Sequence, residues 1–248
     1  MTRLLRAELL KQSSIRTVLG LFAAMVGLIV LAELLHGFGL PAEQLADPSR
    51  QLMVLGLGEL LSVLFAALLG ALSITGEIRH GTIRPTFLVT PRRALVVAAK
   101  VIVSILIGAV FGLVGAAVAV AVGSAALEGR GIAVLLDGDD FVLLIAGATG
   151  AAGLWAAIGV GIGALVRNQV PALVGICAWL LFVEGLLADA TGGLGEVGRY
   201  LPGAAAAAIG GQGPERLLAP AAGLVLLVTY AVVTALAGAI ATSRRDVG

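Results

Sequence analysis

Six stretches of this chain are unbroken apolar runs, at about 18–35, 52–75, 101–122, 141–166, 170–188 and 219–241. Crossing the ~30 Å hydrocarbon core of a bilayer takes about 20 apolar residues in a helix. Each run is near or above that length. The runs lack the in-out alternation of a membrane β-barrel strand, so backbone polar groups in lipid must be satisfied inside helices. The expected fold class is all-α, a polytopic membrane protein with six transmembrane helices. Only 12% of the 248 residues are charged, and a soluble domain carries roughly twice that fraction. The expectation is therefore one transmembrane domain over residues 1–248, with no soluble domain beside the spans. The long apolar run after Arg16, with no small-x-small site behind it, argues against a cleaved signal peptide.

Charge distribution sets the orientation. With six spans, one side holds Arg3, Arg6, Lys11, Arg16, Arg79, Arg84, Arg92, Arg93, Lys100, Arg167, Arg244 and Arg245, and the other holds Arg50, Arg130, Arg199 and Arg216. The basic side is expected to be cytoplasmic, with both termini on it. The opposite loops carry the acids Glu43, Asp47, Glu128, Asp137, Asp139, Asp140, Asp189, Glu196 and Glu215. Basic residues among leucines before Ser14 suit a short interfacial helix ahead of the first span. Residues 204–208 form an alanine run too short to cross, consistent with a re-entrant or interfacial helix.

The one long polar, basic interruption lies between spans two and three, over residues 76–93. Thr82 is placed to cap a helix whose first turn accommodates Pro85, with Ile83, Phe87 and Leu88 near one face. Thr90 and Pro91 repeat the signal and open the next helix, held at the interface by Arg92, Arg93 and Lys100. A short helix with an apolar knob and basic flanks suits a groove on a soluble partner. The same loop reads equally well as a topology signal alone. Gly76 and Gly81 have the glycine spacing of a phosphate-binding loop, but Thr82 stands where its lysine belongs and no strand precedes it, so no nucleotide site is expected.

The order Glu77, Gly81, Thr82, Leu88, Pro91, Arg93 and then Lys100 resembles the ABC-2 type transporter permeases. Residues 6–11 (Arg-Ala-Glu-Leu-Leu-Lys) and Tyr200-Leu201-Pro202 are similar to that family too, and the likeness runs over essentially the whole chain. It implies the transmembrane permease subunit of an ATP-driven ABC exporter of the type V fold, in a bacterial cytoplasmic (inner) membrane. Two six-span subunits, of the same or a related chain, would form the path. Two copies of a separate ABC ATPase, carrying ATP and Mg, would dock below, so the chain itself would hold no cofactor and hydrolyse nothing. The resemblance assigns ATPase coupling to Glu77, Gly81, Thr82, Arg84, Phe87, Leu88, Pro91 and Arg93. It maps a coupling helix to about 82–89 and re-entrant helices before span six to about 189–211. Pro85 departs from the family's acidic or aliphatic residue, which implies a late or shortened helix. Other partners would be membrane lipid, and no nucleic acid.

Within the spans, Glu59 and Glu184 stand out, with Glu33 near the outer end of the first. A carboxylate is costly in lipid and must face a cavity or a partner. Glu59 and Glu184 therefore read either as lining of a translocation path or as carboxyls bonded to a neighbouring helix. Gly108 and Gly112, Gly159 and Gly163, and Gly147, Gly150 and Gly153 let helices approach closely, within a subunit or across a dimer seam. Trp155, Trp179 and Cys177 read as ordinary span residues. An intramembrane serine protease would need a histidine near the midplane, but His36 and His80 lie at the edges. No His-Glu-x-x-His or intramembrane acid cluster supports a metalloenzyme. A secondary transporter would show broken helices at related positions in two halves, and no internal repeat is visible. An immunity or sensing subunit of the same architecture reads identically.

Overall fold

The computed structural model describes residues 2–14, 16–188, 197–213 and 217–244. Asp189, Glu196, Glu215, Arg216 and Arg245, and the part of the expected re-entrant region at 189–196, lie outside the described residues. Among those described, the fold is all-helical, and six helices are long and apolar enough to cross a membrane. In chain order the helices are α1 (Thr2–Ser14), α2 (Arg16–Gly39), α3 (Ala42–Leu45), α4 (Pro48–Leu55), α5 (Leu57–Arg79), α6 (Ile83–Val89), α7 (Arg93–Gly129), α8 (Gly138–Val166), α9 (Gln169–Ala188), α10 (Pro202–Ile209) and α11 (Pro220–Arg244). The spans are α2, α4 with α5, α7, α8, α9 and α11.

Helix α8 is the hub, packed against α5, α7 and α11. Its facing surface is built of small residues, with Ala148, Ala151, Ala152, Ala156 and Ala157 buried around Trp155. Lipid tails are as apolar as leucine, so helices in a membrane associate by close backbone packing, and small residues permit it. A side chain added at Gly108 on α7 would sit 2.7 Å from the carbonyl oxygen of Ala152, and one at Gly163 would sit 2.9 Å from that of Ala71. These glycine pairs are consumed within the subunit. Gly150 is different, since nothing among the described residues lies within 4 Å of the space it leaves.

The opposite ends of the spans form two polar faces. On one, Gln51 holds the extended approach to α8: its amide nitrogen donates to Leu45 O (2.8 Å) and Ala133 O (2.9 Å), and its oxygen accepts from Leu135 N (2.8 Å). Asp137 then starts α8 through a capping box with Asp140. On the other face lie α1, α6, the turn at Arg167 and the end of α11. Arg79 donates to Gln169 (3.2 Å) and Arg93 donates to Thr242 O (3.3 Å), so the end of α5 is tied to the start of α9 and the start of α7 to the end of α11.

Candidate functional site

The basic face contains a closed ring of four charges. Helix α1 contributes Glu8 and Lys11, three residues apart and so on one side of the helix. Glu77 comes from the last turns of α5 and Lys100 from the second turn of α7. Lys100 Nζ lies 2.8 Å from Glu8 Oε2 and 2.9 Å from Glu77 Oε1. Lys11 Nζ lies 2.9 Å from Glu8 Oε1 and 3.0 Å from Glu77 Oε1. Charges alternate around the ring. Glu8 and Lys100 are buried, and Lys11 is at the rim. A third N–H of Lys100 reaches Ser73 O (3.0 Å), and Gln12 adds a buried bond to Ser104 (3.3 Å). Burial alone would raise the pKa of Glu8, but the ammonium groups of Lys100 and Lys11 outweigh it and hold the carboxyl below its ordinary value. Burial likewise opposes the charge on Lys11, and its bonds to Glu8 and Glu77 overcome that and raise it.

Helix α6 hangs from this ring. Gly81, at φ +70°, makes the turn that an L side chain would strain. Thr82 stands at the N-cap position but in a helical conformation, so its hydroxyl cannot reach the first free N–H groups and instead approaches Glu77 O (3.5 Å). The expected threonine cap is therefore not formed. Pro91 and Thr90 do not open α7 either: Thr90 and Arg92 have non-helical backbones and α7 begins at Arg93. The expected shared face of Ile83, Phe87 and Leu88 also divides. Ile83 is buried and Phe87 packs inward beside Ile74 and Val97, with the Arg93 guanidinium 5.3 Å from its ring centre. Leu88 and Val89 point out, 83% and 86% exposed, and Arg84 is exposed. Thr86 faces α1, with Lys11 Nζ 3.5 Å from its hydroxyl. Of the expected coupling residues, the ring takes Glu77, α6 and its turn carry Gly81, Thr82, Arg84, Phe87 and Leu88, and Pro91 and Arg93 lead into α7.

Glu59 and Glu184 lie on the opposite face and both meet the α10 segment. Glu184 accepts from Gly203 N (3.0 Å) and Ala204 N (3.2 Å), the otherwise unpaired donors at the start of α10, and from the indole N–H of Trp179. Trp179 is thus no ordinary span residue. Residues Trp179–Val183 wind as a π-turn, which stacks positions five apart and brings the indole over Glu184. Glu59 accepts from the side-chain amide of Gln212, just beyond α10. Gly56 leaves the space for that amide: a side chain there would sit 2.6 Å from Gln212 Cδ. Tyr230 adds a bond to Tyr200 O (3.0 Å). Both carboxylates thus clamp the ends of α10 onto the spans.

Sequence reasoning missed the ring because Lys11 and Lys100 read as topology charges and Glu8 and Glu77 only as members of a family pattern, so the four were never paired. The available signal was four charged residues, two on α1 and two near the basic ends of the second and third spans, two of each sign, that could neutralise one another. Comparison with protein-family models and with curated proteins returned no match to this chain.

Proposed function

We propose that this chain is the permease subunit of an ATP-driven ABC-2 type exporter, driven by a separate ATPase that docks on the face carrying α1 and α6. The observation that carries the reading is α6 itself. It is a seven-residue helix with Leu88 and Val89 turned outward, joined through the Gly81 turn to α5 and through Phe87 and Arg93 to α7. A knob so placed can seat in a groove, and a push on it would reach spans two and three together. Helix α1 is locked to the same two spans by the charge ring, so it moves with them. In this reading α6 is the coupling helix, α1 lies at the interface, and the basic face is cytoplasmic. ATP and Mg bind the partner ATPase, two copies of which serve two permease subunits in a bacterial inner membrane. Helix α10, about 12 Å long, is too short to cross and is the re-entrant element before the last span. Glu59 and Glu184 fix its position at the outer end of the path.

The test is affinity purification from native membranes in mild detergent. Wild-type chain is expected to bring an ABC ATPase with it. Leu88→Asp with Val89→Asp should lose it while the permease stays monodisperse, and Arg84→Glu should weaken it. Purification of the chain without any ATPase, at every detergent condition, refutes the reading.

A further inference from the structure

A cleft of about 340 Å³ lies where the basic end of α5 meets the turn from α8 into α9. We propose that it binds the phosphate group of an anionic phosphate ester, held by the guanidinium groups of Arg79 and Arg167. The wall is Thr75 and Arg79 from α5, Arg167 from the turn, and Asn168, Gln169 and Val170 at the start of α9. Two arginines line it and no acid does. Among the described residues, neither arginine has a carboxylate within 4 Å, whereas Lys11 and Lys100 are neutralised by Glu8 and Glu77. The volume falls in the range of ligand-binding clefts, about 300–1,000 Å³.

The side chains of the wall offer donors that a ligand can reach. The side-chain oxygen of Asn168 accepts from Val170 N (3.3 Å), and that of Gln169 accepts from Arg79 (3.2 Å), so the N–H groups of both amides are turned the other way. Arg79 gives one of its five N–H groups to Gln169, and the Arg167 side chain makes no hydrogen bond among the described residues. Arg79 and Asn168 are exposed and Arg167 is half-buried. Phosphate brings acceptor oxygens and negative charge, which guanidinium groups bind in a planar, two-pronged fashion. An ammonium head would meet two like charges. Arg167 sits at φ +57°, the only non-glycine residue at positive φ among those described. Glycine would close this helix end at least cost, but glycine has no guanidinium to place there. Val170 and, one turn on, Val174 are exposed, so an apolar strip leads from the cleft along α9. Basic pockets between spans at the bilayer surface suit anionic lipid heads. The inference stands without the transport reading, because binding is measured on the chain alone.

An anionic bilayer lipid and a free phosphate ester share this chemistry. The experiment uses the full chain in maltoside micelles and counts bound probe by native mass spectrometry. The probes are phosphatidylglycerol, phosphatidylcholine with the same acyl chains, and glycerol phosphate. One phosphatidylglycerol should be retained per chain, roughly tenfold more tightly than phosphatidylcholine, whose choline cancels the charge. Arg79→Gln and Arg167→Gly should each weaken binding roughly tenfold. Arg167→Gly should melt no lower than the wild-type chain, since glycine fits the turn, so its lost binding is not lost folding. Arg84→Gln removes an exposed arginine of the same face outside the cleft and should change nothing. Selective retention of phosphatidylglycerol names the bilayer as source. Glycerol phosphate bound without that selectivity, and lost in both cleft variants, names a free ester. Preference for neither anionic probe over phosphatidylcholine, unchanged binding in Arg79→Gln and Arg167→Gly, or an equal loss in Arg84→Gln overturns the inference.

Discussion

Lys100→Met separates burial from contact number in the charge ring. Lys100 and Lys11 touch the same two carboxylates at nearly the same distances, 2.8 and 2.9 Å against 2.9 and 3.0 Å. They differ in exposure, 1% against 41% of the side chain. Methionine keeps the length and apolar stem of lysine and removes the charge. Without Lys100, Glu8 stays buried with one ammonium at the rim, and Ser73 O loses a donor. Removing one partner of a buried ion pair costs about 3–5 kcal/mol. In Lys11→Met, water replaces much of what is lost, and the cost is about 1 kcal/mol or less. For a chain of this size those figures correspond to melting temperatures lower by roughly 6–20 °C and by no more than about 4 °C. The single cysteine, Cys177, allows thermal unfolding in micelles to be followed with a thiol-reactive dye. Hydrogen exchange of α1 should rise in parallel for Lys100→Met. Adding Glu8→Gln to Lys100→Met removes the stranded charge and should recover part of the loss. Equal effects of the two lysine variants would refute the argument that burial sets the strength of this ring.

The remaining expectations concern packing and pH. Gly108→Ala would place a methyl group 2.7 Å from Ala152 O and should cost about 1–3 kcal/mol, whereas Gly150→Ala meets open space and should be neutral or stabilising by about 0.5–1 kcal/mol; the same thermal assay ranks them. Glu8 is held below the ordinary 4.5, so its contribution is present above that value and is lost as pH falls through its folded pKa. Lys11 is held above the ordinary 10.5, so its contribution is present below that value and is lost as pH rises through its folded pKa. A spin label at Arg6→Cys, in a Cys177→Ala background, should keep constant mobility from about pH 5 to 10 and loosen only beyond those limits. Loosening near neutral pH would contradict the ring.

The spans were legible because a long apolar run has one stable solution in lipid, and all six runs lie in helices whose ends fall within about four residues of those expected, except the third, which runs eight residues earlier and seven later. Short α6 was legible too, since Gly81 and Pro91 bound it. Its facing was not: a seven-residue helix has too few positions to fix its rotation, and the Arg93 guanidinium draws Phe87 inward. The ring was invisible because Glu8 and Lys100 are 92 residues apart and only the packing of α1 on α7 joins them. The roles of Glu59 and Glu184 needed the position of Gln212 and of the first amides of α10, which no local pattern encodes. Trp179 and Glu184 were closer to hand, five apart in a span, but only a π-turn makes that spacing a contact.

The way the ring divides has its own consequence. Glu8 and Lys11 travel with α1, while Glu77 and Lys100 stay with the spans, so each half is neutral. Pulling the halves apart separates two dipoles, not two opposite charges, and their attraction fades within a few ångströms. The two halves are also keyed: shifting α1 along its axis would set like charges against each other, so the ring fixes the register in which α1 seats on the spans.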